Sequence, residues 1–207
     1  MFNLDGLIKV GIHQFYGIEI NDFAVTVAKT ALWIVESQMM HETEEIVEHE
    51  LNFLPLKSYA NITEANALRI DWESVVPKEK LSYIMGNPPF VGANNVSKQQ
   101  KAELFKIFGK KSKAGLLDYV TGWYKKSAEL MTGTLIRTAF VSTNSITQGE
   151  QVAILWKNLF ENDVHIDFAY RTFRIVIYAL RFEFTDTSTF FNTIFCSHKH
   201  TPICLDF

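Results

Sequence analysis

Short apolar runs alternate with amphipathic stretches along this chain, and that alternation restricts its fold more than any other feature. Residues 14–20 (QFYGIEI), 81–85 (LSYIM), 135–142 (LIRTAFVS) and 165–170 are rich in aromatic and branched residues and read as buried strands. After the first run, Asn21 or Asp22 can cap a helix through roughly Gln38, with Ala24, Val27, Ala28, Ala31, Leu32 and Val35 on one face. Residues 119–131 place Val120, Trp123, Tyr124, Ala128 and Met131 at helical spacing, and residues 150–160 form a further helix. Strands alternating with helices predict an α/β fold, a parallel sheet with helices on both faces. Ligands of such sheets sit at the carboxyl ends of the strands, so chemistry is expected just after these runs.

Composition excludes several classes. Hydrophobic residues make up 47% of 207, enough for a sizeable core and unlike a disordered chain. A net charge of −3 excludes a wholesale polycation but leaves room for a local basic face. The two cysteines, Cys196 and Cys204, form no CxxC pair, which excludes zinc ribbons and thioredoxin-type redox sites. No apolar run approaches the ~18–20 residues that span a bilayer. The N-terminus lacks the basic-then-apolar pattern of a signal peptide, so a cytosolic globular chain without membrane partners is expected.

Directly after the second strand comes Asn87-Pro88-Pro89-Phe90, following Gly86. Two prolines in series remove two backbone donors and fix φ, making a stiff turn. The Asn87 side-chain oxygen and the Pro88 carbonyl are then neighbouring acceptors, suited to the two N–H donors of a planar amino group. Accepting from both hydrogens raises electron density on the nitrogen and directs its developing lone pair at an electrophile. Phe90 offers an apolar face on which a heterocycle can stack. The plain alternative is a strand-to-helix turn without chemistry.

With IMGNPPFVG, LLDYVTGWY, AFVSTNSITQGEQ and DFAYRTF, the chain from about Gln14 to Phe173 resembles the class I S-adenosylmethionine-dependent DNA methyltransferases. The likeness is to the adenine-N6 branch, and nearest to the large single-chain bacterial restriction-and-modification enzymes. It implies a partial Rossmann-like class I methyltransferase sheet, S-adenosyl-L-methionine as cofactor, double-stranded DNA as partner and a bacterial cytoplasmic location. It assigns Asn87, Pro88, Pro89 and Phe90 to the amino group of a flipped target base. Glu19, with Ile20 beside it, matches the acidic residue that accepts from the cofactor ribose hydroxyls; a helix-capping carboxylate is the alternative. Asn66, Ala67 and Leu68 match the block that contacts the cofactor adenine, with Asp71 as a competing assignment and turn capping as the plain one. Asp118 and Tyr119 line the cofactor pocket or cap the next helix.

Lys98, Lys101, Lys106, Lys110, Lys111 and Lys113 stand against one acid, Glu103, in the segment after the NPPF turn. They suit either phosphate contacts or a solvated face. His41, Glu42, Glu44, Glu45, Glu48, His49 and Glu50 lack the HExxH spacing and a third ligand, so no metal site is expected. No GxSxG elbow surrounds Ser142 or Ser145, which argues against a serine hydrolase.

Two departures from the family pattern stand out. No GxG turn precedes Glu19, where the family carries its first, central strand and glycine-rich loop. From about Arg174 the pattern lapses, and Gly149 is the last glycine. A truncated or frame-shifted reading of a longer gene explains both. The expected organisation is thus a partial methyltransferase domain over residues 1–173 and a divergent tail over 174–207, with flanking segments of the same enzyme missing. The expected function is adenine-N6 methylation of DNA in a restriction-modification system, with the 207 residues inactive alone. The alternatives are amino-group methylation of RNA or of protein glutamine, and a non-catalytic remnant that binds nucleic acid or a partner.

Overall fold

The structure, a computed structural model, describes residues 9–48, 60–173 and 191–198. It divides into two units, Met1–Val76 and Pro77–Phe207.

In the first unit, β1 (Tyr16–Glu19) runs parallel to β2 (Asn61–Glu64), with Tyr16 across from Asn61 and Glu19 across from Glu64. Helix α1 (Asp22–Val47) lies between them in sequence. Asn21 is its cap, accepting from the Ala24 N–H at 3.0 Å. The helix outruns the expected end at Gln38, and its last turns carry the acidic stretch, where His41 sits 3.6 Å from both Glu44 and Glu45. His49 and Glu50 lie outside the described residues. The packed stripe is narrower than the apolar pattern predicts. Val25 is buried and Ala24, Ala28 and Leu32 are half-buried, while Ala31, Val27 and Val35 are exposed. Two strands cannot cover a 26-residue helix. The apolar pattern predicts no strand at β2, because NITE contains one isoleucine among polar residues.

The second unit holds β3 (Tyr83–Gly86), α2 (Lys98–Phe108), α3 (Thr121–Met131), β4 (Arg137–Thr143), α4 (Gln151–Phe160), β5 (Val164–Phe173) and β6 (Phe191–His198). These strands form one sheet in the order β3-β4-β6-β5. β3 and β4 are parallel, whereas β6 is antiparallel to both neighbours, so the sheet is mixed rather than wholly parallel. β6 falls in the stretch where the family pattern lapses, and it covers the edge that β4 would otherwise expose. The FEFTDT stretch lies outside the described residues. β4 alternates strictly, with Thr138, Phe140 and Ser142 buried.

Around Phe140 the core gathers Val120, Tyr124, Met131, Ile136, Leu155 and Leu159, all at most 2% exposed. Each such side chain contributes about 1.5–3 kcal/mol by leaving water. Tyr124 meets Phe140 edge-on at 5.1 Å, and its hydroxyl lies 3.1 Å from Ser142 Oγ. β1 and β3 belong to separate sheets. Among the described residues, no helix is long and apolar enough to cross a membrane.

Candidate functional site

The NPPF turn leaves the carboxyl end of β3, the position that the strand pattern predicts. Gly86 pairs with Phe140 in the parallel ladder, and Pro88 behind it is buried. Asn87 and Pro89 are exposed, and Phe90 is half-buried. Pro89 is tied locally, its carbonyl accepting from the Val91 N–H at 3.2 Å. Among the described residues, neither the Asn87 side chain nor the Pro88 carbonyl has a hydrogen-bond partner. Two neighbouring acceptors on a proline-stiffened turn are thus left without a protein partner among the described residues.

The segment after the turn is anchored from a distance. The Tyr119 N–H donates to the Val91 carbonyl at 2.9 Å, and the Ala93 N–H donates to Asp118 Oδ1 at 2.7 Å. Asp118 does not cap α3 with its side chain; its carboxylate is buried and also accepts from Gln151 and Ser145. Tyr119 is buried, stacks edge-on with Trp123 at 5.3 Å and donates its hydroxyl proton to Glu103. An open cleft of about 540 Å³ borders the same segment, lined by Ala93, Asn94, Lys101, Leu116, Gln148 and Gln151 among others.

Helix α2 carries Lys98, Lys101 and Lys106, with Lys110, Lys111 and Lys113 in the loop beyond. Glu103, the one acid among them, turns inward to Tyr119 and is 8% exposed. Lys101 is half-buried and the other five are exposed, and among the described residues none forms an ion pair. Ser97 and Gln100 form a capping box at the start of α2, with bonds of 3.2 and 3.0 Å.

In the first unit, Glu19 and Asn66 meet at one edge. The Ala65 N–H donates to the Glu19 carbonyl at 2.8 Å, bringing the residue before Asn66 onto the carboxyl end of β1. Glu19 Oε1 accepts from the Ile20 and Asn21 N–H groups, at 2.9 and 3.0 Å. Its Oε2 has no partner among the described residues. Asn66 Oδ1 accepts from the Leu68 N–H at 2.9 Å, and the Ala67 carbonyl accepts from Trp72 Nε1 at 2.8 Å. Asp71 makes a similar local turn, accepting from the Glu73 N–H at 3.1 Å. The described residues contain no His/Cys/Asp/Glu cluster able to hold a metal ion.

A family model for the MmeI DNA-methyltransferase domain matches residues 3–179. The chain belongs to that family. DNA methyltransferase A of Bacillus subtilis strain 168 is 44% identical over 169 residues, which make up 80% of this chain and 19% of that protein. A solved structure of the Type IIL restriction-modification enzyme MmeI in complex with DNA matches with a TM-score of 0.86 and 39% identity. The match covers 97% of this chain and 26% of that one. The chain therefore spans about a fifth to a quarter of the length of these relatives.

In this MmeI-type methyltransferase domain, several residues that organise the site give little signal in the sequence. Gln151 and Ser145 reach Asp118 from 33 and 27 residues away, a separation that no local pattern encodes. Trp72, which closes the turn at Ala67, is one aromatic among polar neighbours. The Ser97-x-x-Gln100 box is the one local signal of a helix start at α2, whose weak apolar period the lysines hide.

Proposed function

We propose that this domain supplies the target-base face and part of the cofactor edge of a site-specific DNA adenine-N6 methyltransferase from a restriction-modification system. The observation that carries this is the NPPF turn at the carboxyl end of β3, whose two acceptors have no protein partner among the described residues. Asn87 Oδ1 and the Pro88 carbonyl accept the two hydrogens of adenine N6 once the base is flipped from the duplex. Pro89 keeps the turn stiff, and Phe90 packs against the base. Holding both hydrogens localises the lone pair on nitrogen, which makes it a nucleophile for direct displacement. No covalent bond to the protein is required.

S-adenosyl-L-methionine, when bound, supplies an electrophilic methyl group. Glu19 Oε2, open at the strand end, suits a ribose diol, and Ile20 follows it at the rim. Asn66 and Ala67 shape the adjoining turn, where an adenine edge would meet side chain and backbone. The six lysines neutralise phosphates of the duplex and add affinity without sequence preference.

Asn87→Ala tests the reading. In the full-length protein carrying these residues, the variant should lose methyl transfer to adenine-containing duplex DNA by at least about 100-fold, the scale of a removed oxyanion-type contact. Near-normal transfer by the variant would reject the assignment. Preferential methylation of RNA or of a protein glutamine by the parent would replace DNA as the substrate.

A further inference from the structure

Asp118 is where three segments distant in sequence meet. Its side chain is buried, and both carboxylate oxygens are occupied by protein donors. Oδ1 accepts from the Ala93 N–H at 2.7 Å. Oδ2 accepts from Gln151 Nε2 at 3.0 Å and from the Ser145 hydroxyl. Gln151 closes the ring: its Oε1 accepts from the Asp118 N–H at 3.0 Å, and its Nε2 also donates to the Ser145 carbonyl at 2.9 Å. The Gln151 amide therefore has both donors and its acceptor engaged.

A buried carboxylate is costly unless its lone pairs are met, and an apolar side chain of similar size would pack at least as well. What a satisfied polar network adds is one defined arrangement of the parts it joins. Here one of those parts is the end of the NPPF loop. Between Gly86, held in the β3–β4 ladder, and Ala93 run residues 87–92. The far end of that span is tied twice, by Ala93 to Asp118 and by Val91 to the Tyr119 N–H at 2.9 Å.

We infer that Asp118 is a positioning residue: it fixes the far end of the loop that carries Asn87 and Pro88, while Ser145 and Gln151 hold its carboxylate in place. This rests on reading that loop as the target-amino site. It also gives Asp118 a role distinct from a cofactor contact, since its oxygens face protein donors. Productive alignment of two acceptors on one nitrogen tolerates little drift, and a misplacement of about 1 Å costs on the order of 100-fold in rate.

The test is steady-state kinetics of the full-length protein carrying Asp118→Asn or Ser145→Ala, with Asn87→Ala in parallel. Asp118→Asn keeps the Oδ1 acceptor but sets an amide donor against the Gln151 amide donor. We expect its kcat to fall about 100-fold, with KM values for S-adenosyl-L-methionine and DNA changed by less than about threefold. Ser145→Ala should lower kcat by about tenfold through the loss of one bond to a charged group. In the 207-residue chain, both variants should speed hydrogen exchange at the Ala93 amide while leaving the β4 amides protected. That local response separates positioning from general loss of stability, and Ser145→Ala keeps the test open where Asp118→Asn fails to fold. Unchanged kcat in Asp118→Asn, or unchanged Ala93 exchange in both variants, overturns the inference. A KM for S-adenosyl-L-methionine raised about tenfold at constant kcat overturns it too, and returns Asp118 to the cofactor site. Loss in Asn87→Ala with full activity in Asp118→Asn rejects the positioning role alone. Full activity in Asn87→Ala rejects the reading of the loop and the positioning role with it.

Discussion

Phe140 stands directly across from Gly86 in the parallel ladder, and its ring fills the space where a side chain on Gly86 would go. A Cβ there would lie 3.3 Å from Phe140 Cε1 and 3.4 Å from Cδ1. Phe140 has little room to retreat, being 1% exposed and packed edge-on against Tyr124. The glycine that ends β3 thus allows the core to extend right up to the NPPF turn.

Replacing Gly86 should therefore disturb both stability and the turn. Gly86→Ala is expected to lose about 1–3 kcal/mol by overpacking, and Gly86→Val more. Urea denaturation of the 207-residue chain measures this as a lower midpoint at constant slope. An alanine variant as stable as the parent would mean that the Phe140 ring yields.

Tyr119 and Glu103 join the start of α3 to α2 through a buried hydroxyl–carboxylate bond. Tyr119→Phe removes that donor and should cost about 1.5–3 kcal/mol, the range for hydrogen bonds to charged groups. Glu103→Gln keeps an acceptor of the same shape and should cost less. The two single variants and their combination form a cycle whose coupling energy, read by denaturation, should be non-zero. Strict additivity would reduce the pair to independent packing.

The lysines predict a salt effect. If they touch phosphates, each neutralised contact flattens the slope of log affinity against log salt by about 0.9. Replacing Lys98, Lys106 and Lys110 with glutamine should then weaken binding to unrelated DNA sequences alike. An unchanged slope would return the segment to a solvated face.

The 207-residue polypeptide by itself should bind S-adenosyl-L-methionine weakly and transfer no methyl group. On the proposed reading Glu19 and Asn66 would serve ribose and adenine, but no GxG turn precedes Glu19 to hold the methionine moiety. Losing about 4 kcal/mol of such contacts turns a micromolar site into a millimolar one. Calorimetric titration measures the affinity, and transfer of labelled methyl to DNA by the purified chain would contradict the expectation outright.

Where local pattern and final environment agree, the elements are legible in the residues alone. β4, α3 and α4 fall close to their expected places because apolar period and burial coincide there. β3 and β5 also form near their expected places, but β3 is not the buried strand its apolar run predicts, since Tyr83 and Met85 are exposed. β2 and α2 elude the pattern for opposite reasons: NITE has too little apolar character for a strand, and lysines dilute the helical period of α2. The exposed faces of Val27 and Val35 mark the limit of periodicity, which indicates an apolar stripe but not what covers it.

Local sequence is enough to specify the turn: an asparagine and two prolines after a short apolar strand make a stiff segment that carries neighbouring acceptors wherever that strand ends. It also determined the charge of the following segment. Only the tertiary structure decided that β6 inserts antiparallel beside β4, since strand order is set by pairing across long stretches of chain. Only the tertiary structure turned Glu103 inward and left the lysines without their local acid. The same holds for Asp118. In sequence it is a carboxylate ahead of a helix; in the fold, donors from 25, 27 and 33 residues away converge on it. Local residues set which groups are available, whereas burial and long-range hydrogen bonding set which of them remain open to a ligand.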